Sequence, residues 1–333
     1  MPAEWEPHAA TWLTWPHNQE HWPGLFHKVE HLWGDMVREL ETGEDVHICM
    51  HDDETQMHAE KILKKANVVG TRVHFHRIAN NWSWTRDHGP IFVKNDATGE
   101  VMLCNFRFNG WGNKWRHERD DDVPVEISRI LNMPIVNVPM VLEGGSISVN
   151  GSGSLLTTTS CLLHPNRNPE MDQNQIERML QDYLGVTNIL WLGDGIAGDD
   201  TDGHVDDLAM FVSKSTVVAA WEENTHDINF RPLSENLTLL QSMKDERGNP
   251  LTIHTLPMPS PIVHDDTRLP ATYANFYIGN DVVLLPAFDD PHDRKAEEVM
   301  AALFPGRRIV PLYTRDLVWG FGAFHCLTQQ QPA

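Results

Sequence analysis

The stretch Ala209–Ala220, AMFVSKSTVVAA, contains two runs of apolar and β-branched residues separated by a short polar turn. This pattern predicts a β-hairpin. Three other stretches share it, with Gly, Asn or Ser turns between strand-forming runs: Ile91–Leu103, Ser146–Leu156 and Asn275–Leu285. The four hairpins begin at residues 91, 146, 209 and 275, which are 55, 63 and 66 residues apart. A repeat of roughly sixty residues therefore organises the chain.

A helix and a short apolar strand are predicted after most hairpins. Proline near the start and glycine at the end are ordinary helix boundaries. The helices are expected at residues 168–185, about 234–247 and 290–305, and the strands at 188–191 and 308–312. The repeating unit is therefore ββαβ.

The length of the chain leaves space for five such units, the fifth divided between the two ends. Ala10–Trp15 is expected to pair with Phe324–Thr328. Pairing of the ends would close a ring and remove open sheet edges. We therefore predict an α/β fold in which residues 1–333 form a single domain.

The composition excludes several classes of function. The formal net charge is −21, which disfavours nucleic acid and anionic membrane as partners and favours small cations. No run of eighteen apolar residues indicates a membrane span. The first residues lack the basic and apolar regions of a secretory signal, so we expect a cytoplasmic location.

The cysteines differ in their surroundings. Cys49, Cys104 and Cys161 are interpreted as small buried hydrophobic residues, and no CxxC pair indicates a metal or redox motif. Cys326 instead follows His325 in a glycine-containing stretch, which makes it a candidate nucleophile.

Four motifs place a thiol, an imidazole and carboxylates beside glycine: Trp84–Pro90, Leu142–Gly145, Asp202–Asp207 and Gly320–Gln330. Carboxylates would repel a thiolate unless a cation lay between them. The combination therefore indicates chemistry on a guanidinium group. Each motif stands close to a predicted hairpin strand, so a ring would bring all four motifs to its axis.

The spacing within the motifs suggests individual roles. His204 and Asp206 would face one pocket together if they lie on a strand, and Asp207 would face away. His325 would point to the opposite strand face from Cys326 and is interpreted as structural. Trp84 could cover the cation, with simple core packing as an equal alternative. Trp111 is a weaker candidate for substrate binding.

These motifs resemble the agmatine deiminase family, within the bacterial-type peptidylarginine deiminases. The resemblance covers nearly the whole chain and includes four further stretches: Met1–His8, Phe108–Gly112, Asn166–Pro169 and Arg268–Tyr273. It implies a pentein-like, pseudo-symmetric five-bladed α/β propeller of ββαβ units. The family usually has Gly-Gly-Gly-Asn-Ile before its His-Cys pair, whereas Gly320–Phe324 reads GFGAF here.

The resemblance also implies the catalytic residues. The nucleophile falls on Cys326, the general acid and base on His204, the guanidinium-binding carboxylates on Asp87 and Asp206, and a further carboxylate on Glu143. The expected reaction converts agmatine to N-carbamoylputrescine and ammonia through a covalent thiouronium intermediate, as in putrescine biosynthesis. No cofactor or metal is expected, and a homodimer is an open alternative.

Three alternatives are left open. Free arginine would need a cation for its carboxylate, and no motif supplies one, so agmatine is preferred. Peptidyl-arginine is a second alternative, disfavoured by the predicted cytoplasmic location. A different class is a zinc metallopeptidase, because His27–His31 matches the H-x-x-E-H pattern.

Overall fold

A computed structural model describes all residues from 1 to 333. The strands are β1 (His8–Thr14), β2 (Asp45–Met50), β3 (Val73–Arg77), β4 (Ile91–Lys94), β5 (Val101–Arg107), β6 (Ile135–Val141), β7 (Ser148–Val149), β8 (Ser154–Thr158), β9 (Asn188–Leu192), β10 (Ala209–Ser213), β11 (Thr216–Trp221), β12 (Thr252–Pro257), β13 (Val263–His264), β14 (Thr267–Arg268), β15 (Tyr277–Ile278), β16 (Val282–Ala287), β17 (Arg308–Tyr313) and β18 (Thr328–Pro332).

The helices range from one to four turns. They are α1 (Phe26–Leu40), α2 (Asp53–Lys65), α3 (Thr85–His88), α4 (Gly110–Asn113), α5 (Val123–Leu131), α6 (Thr159–Leu162), α7 (Gln173–Leu184), α8 (Phe230–Ser242), α9 (Asp293–Leu303) and α10 (Phe324–Leu327). Short 3₁₀ turns occupy Gln19–His21, Asp120–Asp122, Gly144–Ser146, Val205–Asp207 and Leu317–Gly320. None of the helices has the length and apolar character needed to cross a membrane.

Five sheets of three or four strands repeat one pattern, in which an antiparallel pair is followed by a parallel strand. Their strand orders are β18-β1-β2-β3, β4-β5-β6, β7-β8-β9, β10-β11-β12 and β15-β16-β17. The strands do not join into one closed sheet. The first sheet differs from the others because α2 leads to an additional edge strand, β3.

The two ends of the chain meet in the first sheet. Strand β1 pairs antiparallel with β18, and Leu13 lies opposite Thr328. The predicted strand from Phe324 is wrong in its start, because the residues before Thr328 form α10. There the backbone N–H of His325 donates to the carbonyl of Asn275 rather than to a neighbouring strand.

Local chemistry explains the helix boundaries. The predicted start of α7 at residue 168 is wrong, because Asp172 and Gln175 form a capping box that begins the helix at Gln173. Its predicted end is confirmed, since Gly185 adopts the left-handed conformation there. The boundaries predicted for the helix at about 234–247 are also wrong, because α8 begins at Phe230 and ends at Ser242.

Helix α1 shows how the layers pack. Its buried face, with Trp33 and Val37 at its centre, lies in one apolar cluster with Val46 and Ile48 of β2. Burial of each such side chain contributes about 1.5–3 kcal/mol to the free energy of unfolding. Truncation of Trp33 to alanine is therefore expected to cost about 3–5 kcal/mol.

Candidate active site

The candidate nucleophile lies in α10, directly before the last strand. Cys326 is only 5% exposed. Its Sγ atom is 3.5 Å from Oδ2 of Asp206 and 3.0 Å from Nδ2 of Asn275. Gly322 is required opposite the thiol, because a Cβ atom there would lie 3.1 Å from Sγ and 2.9 Å from the Trp84 ring.

The segment around Asp206 is not the strand that the sequence predicts. Val205–Asp207 forms a 3₁₀ turn with His204 at its N-terminal boundary, so the argument from alternating strand faces is wrong. The turn nevertheless directs Asp206 toward Cys326. The prediction from alternating strand faces failed here because a polar residue can reach a buried site from a turn as well as from a strand.

The interpretation of His325 as a structural residue on the opposite strand face is also wrong in its geometry. Both ring nitrogens bind buried carboxylates, Nδ1 to Asp206 at 2.7 Å and Nε2 to Glu4 at 2.8 Å. Burial and Arg86 lower the pKa of His325, but Glu4 and Asp206 outweigh them and raise it above its usual value. An imidazolium at this position donates to Asp206 and fixes its carboxylate.

Asp87 lies in α3 and accepts two hydrogen bonds. Nε1 of Trp111 donates to Oδ2 at 2.9 Å, and the backbone N–H of Gly145 donates to Oδ1 at 3.0 Å. Trp111 has a left-handed backbone, with a φ of 56°, which turns its indole toward Asp87. Burial raises the pKa of Asp87 to about 6, and the Asp206 carboxylate adds to this rise.

The glycine pair after Glu143 lets the backbone pass between the functional groups. A Cβ atom at Gly145 would lie 2.6 Å from Nδ1 of His204 and 2.9 Å from carboxylate oxygens of both Asp87 and Asp206. Only glycine leaves space at this point. The glycine pair therefore lets His204 and the two aspartates approach one another closely.

His204 is fully buried, and neither of its ring nitrogens has a hydrogen-bond partner. Nδ1 lies 3.7 Å from Oδ1 of Asp87. Burial lowers the pKa of His204, but Asp87, Cys161 and Asp206 outweigh burial and raise it well above its usual value. A protonated imidazole is therefore available beside the carboxylates.

Cys161 is buried as predicted, but it is not remote from the site. Its Sγ atom, a ring nitrogen of His204 and a carboxylate oxygen of Glu143 lie within 4.8 Å of one another. Glu143 makes its hydrogen bond to Nε of Arg167, at 2.7 Å, and not to His204. Glu143 therefore has no direct hydrogen bond to His204.

Arg167 is a residue that sequence reasoning missed as part of the site. Besides Glu143, it donates to Oδ2 of Asp202 at 2.6 Å and to the carbonyl of Thr201 at 2.8 Å. It thereby connects two of the four motifs. Arg167 lies in Asn166–Pro169, one of the four further stretches that resemble the deiminase family, and that resemblance was the sequence signal that pointed to it.

A narrow cavity opens onto Cys326 and Asp87. Its walls are largely aromatic and include Trp82, Trp84, Trp111, Trp115 and Phe321. Trp84 belongs to the apolar core and also lines this cavity, so the two interpretations of it coincide.

Asp200 lies on the same cavity and was not predicted. Its Oδ2 accepts a hydrogen bond from Nε1 of Trp115 at 3.0 Å. Burial and the neighbouring Asp199 raise the pKa of Asp200 to about 6. Asp200 lies shortly before His204 in the sequence, but nothing in its spacing distinguishes it from the neighbouring aspartates Asp199 and Asp202.

The thiol of Cys326 is held in its neutral form. Burial raises its pKa well above the usual value, and the carboxylates of Asp206, Asp207 and Asp87 raise it further. A cation placed between the thiol and these carboxylates would reverse the electrostatic part of this rise.

The pattern at residues 27–31 does not form a comparable site. Its Glu30 is buried and accepts a hydrogen bond from Nε2 of His58 at 2.7 Å, between α1 and α2. His27, Glu30 and His31 are not among the groups whose ligand atoms converge.

The geometry is that of a thiol-dependent site shaped for a planar cation, and the comparisons agree. The model of the Porphyromonas-type peptidyl-arginine deiminase family matches residues 1–332. A curated agmatine deiminase from Pseudomonas syringae pv. tomato is 35% identical over 361 residues, covering 100% of this chain and 95% of that protein. One from Ectopseudomonas mendocina is 33% identical over 357 residues, with the same coverage.

Solved structures give the same result. The agmatine deiminase of Enterococcus faecalis superposes with a TM-score of 0.94 at 31% identity, covering 100% of this chain and 95% of that one. A cysteine-to-serine variant of the C. jejuni agmatine deiminase, with substrate bound, superposes with a TM-score of 0.90 at 28% identity, covering 100% and 96%. The chain therefore belongs to the Porphyromonas-type peptidyl-arginine deiminase family.

Proposed function

We propose that this protein is an agmatine deiminase, which hydrolyses agmatine to N-carbamoylputrescine and ammonia. One observation carries the proposal: the Cys326 thiol lies beside buried carboxylates, and the unpartnered imidazole of His204 lies beside the same carboxylates. Oδ1 of Asp206 and both nitrogens of His204 are buried without partners. Buried polar atoms without partners are costly, and a guanidinium would supply donors to the carboxylates. The named activity of the relatives supports the same substrate.

Binding of the guanidinium begins with the two aspartates. Asp87 is held by Trp111 and Gly145, and Asp206 is held by His325. Each carboxylate retains lone pairs for the N–H groups of the planar cation. The cation then lies against Cys326 and lowers the pKa of its thiol, which releases its proton to solvent and becomes a thiolate.

The first chemical step forms a carbon–sulfur bond. The Cys326 thiolate attacks the guanidinium carbon, and the electron pair of one C–N π bond moves onto nitrogen. Protonated His204 gives its proton to the departing amino group, which leaves as ammonia. The product of this step is a thiouronium cation, bound covalently to Cys326.

The second step releases the product. Neutral His204 removes a proton from a water molecule, whose oxygen attacks the thiouronium carbon. The carbon–sulfur bond breaks and a carbonyl forms, while the proton of the added oxygen passes to the departing sulfur and restores the neutral thiol of Cys326. His204 is again protonated, and the ureido product departs.

The far end of the cavity favours agmatine over arginine. Asp200 offers a carboxylate to a primary amine, and the lining residues include no Arg or Lys for an α-carboxylate. Lys114 is engaged by Oδ1 of Asp202 at 2.8 Å and by the Asp200 carbonyl. A bound arginine would therefore meet repulsion from Asp200 without a compensating cation.

The architecture supports a more detailed arrangement. We infer that the five repeated sheets are blades around the site, as a five-bladed propeller, and that residues 1–333 form one domain. The pairing of β1 with β18 supports this inference. The homodimer, the cytoplasmic location and the role in putrescine biosynthesis remain predictions from the sequence and the family.

A ureido-product assay with agmatine, arginine and a peptidyl-arginine at matched concentrations tests the proposal. We expect agmatine to be turned over with by far the highest kcat/KM. Asp200→Asn should raise the KM for agmatine on the order of tenfold, because a hydrogen bond to a charged group contributes about 1.5–3 kcal/mol. Glu223→Gln, which removes an exposed charge, is the control. Preferred turnover of arginine would contradict the assignment.

A further inference from the structure

A second cluster of ligand-type side chains lies on the first sheet, on strands β2 and β3. Asp45 and His47 are two residues apart on β2, so their side chains share one face. His74 pairs with His47 across the parallel ladder. The ligand atoms of these three residues lie within 4.8 Å of one another. None of them has a role in the proposed reaction.

A fourth residue, His76, contacts this cluster. Nδ1 of His47 lies 2.7 Å from Nε2 of His76, so Nε2 of His47 is the nitrogen left for another ligand. Metal-binding histidines commonly use their second ring nitrogen for such a hydrogen bond. The rings of His47 and His76 also stack on buried Trp12, at 4.5 and 5.1 Å. The cluster therefore has a fixed inner wall.

The side chains on the outer side of the cluster are exposed enough to change their orientation. The side chains of His74 and Asp45 are 43% and 46% exposed, and Nε2 of His74 is 3.4 Å from Oδ2 of Asp45. Tetrahedral zinc places nitrogen and oxygen ligands about 2.0–2.2 Å from the metal. Small rotations of the two exposed side chains would bring the three ligand atoms to that spacing.

We propose that Asp45, His47 and His74 bind one Zn²⁺ ion, with water as a fourth ligand. Two imidazoles and one carboxylate are ligands that Zn²⁺ accepts readily. The excess of acidic residues in the chain favours a cation here. The ion joins β3, the additional edge strand, to β2. Its role is structural, and it is independent of the proposed deiminase reaction.

Titration of chelator-treated full-length protein with Zn²⁺ tests this site, using a chromophoric chelator as competitor. We expect one ion per chain. His74→Gln and Asp45→Asn should each weaken binding by about tenfold or more, because each removes a ligand from a site that has three. His254→Gln is the matched control, since His254 is a lone exposed histidine on β12, which is also an edge strand.

Two further measurements separate this site from the ligand set that contains Cys161. Saturating Zn²⁺ should raise the melting temperature of the wild-type protein by a few degrees and leave that of His74→Gln unchanged. Binding should persist in Cys161→Ser, which alters the only other convergent ligand set. Full binding by His74→Gln and Asp45→Asn, or loss of binding only in Cys161→Ser, would overturn the proposal.

Discussion

Cys326 and Cys161 occupy the third position of two four-residue helices, α10 and α6, and a leucine follows each. Burial raises the pKa of both thiols. The neighbouring charges then differ, since His204 and Arg167 lower the pKa of Cys161 while three aspartates raise that of Cys326. Only Cys326 lines the cavity.

On the proposed assignment of Cys326 as the nucleophile, readiness to ionise does not select it. Access to the cavity and the sign of the neighbouring charges distinguish Cys326 from Cys161 instead. The carboxylates that suppress the Cys326 thiolate are the groups that would bind a guanidinium. The thiol is therefore expected to become reactive only when a cationic substrate is bound, which protects it from unrelated electrophiles.

The largest expected effect separates the two thiols. Cys326→Ser should abolish turnover, because a serine hydroxyl beside three carboxylates is not ionised at neutral pH. Cys161→Ser should retain most activity. Steady-state production of the ureido compound measures both, with thermal melts to verify folding. Loss of activity in Cys161→Ser with activity retained in Cys326→Ser would reverse the assignment.

The next effect concerns the carboxylates near Cys326. Asp87→Asn and Asp206→Asn should each lower kcat/KM by roughly thirtyfold to several thousandfold, since loss of a buried charged partner costs about 2–5 kcal/mol. The decrease should be larger for Asp206, which also binds His325.

Asp207→Asn is the matched control for those variants. Burial, Asp206 and Asp199 raise the pKa of Asp207 well above its usual value. Its Oδ1 accepts a hydrogen bond from Nδ2 of Asn275 at 3.0 Å. The side-chain oxygen of an asparagine can accept the same bond, so the rate should stay within about tenfold of wild type. Equal losses at Asp206 and Asp207 would contradict this distinction.

A smaller effect is expected from the contact between Cys161 and His204. Cys161→Ala should lower kcat by about fivefold to tenfold, because it removes a weak polar neighbour of the imidazole worth about 1 kcal/mol. It should also lower the pKa of His204, because Cys161 helps to raise it. The pH profile of kcat should therefore shift on its basic side. An unchanged pH profile of kcat would indicate that Cys161 contributes only to packing.

The smallest effect is a shift in pH dependence. The pKa of Asp87 is about 6, and below it the carboxylate takes up a proton and loses its attraction for the cation. We expect kcat/KM to fall as the pH decreases through about 6. Trp111→Phe removes a hydrogen bond that lowers this pKa, so the fall should begin at higher pH. A shift to lower pH would indicate another titrating group.

The sequence predicted the regular parts of this molecule better than the site. The hairpin at 209–220 is present as β10 and β11, because runs of apolar and β-branched residues and a polar turn act locally. The catalytic segments are short helices and turns, which have too few residues to show a period. His325 shows the limit: its partners, Glu4 and Asp206, are 321 and 119 residues away. Asp200 was missed because its place on the cavity, not its neighbours in sequence, distinguishes it.

The contact between Glu4 and His325 has a consequence for the kinetics of folding. The entropic cost of closing a loop grows with its length, and this one spans 321 residues, against 51 for the contact of Asn275 with Cys326. The difference is about 1.6 kcal/mol. In refolding from denaturant, catalytic competence should therefore return after the secondary structure, and its recovery rate would report the final joining of the two ends.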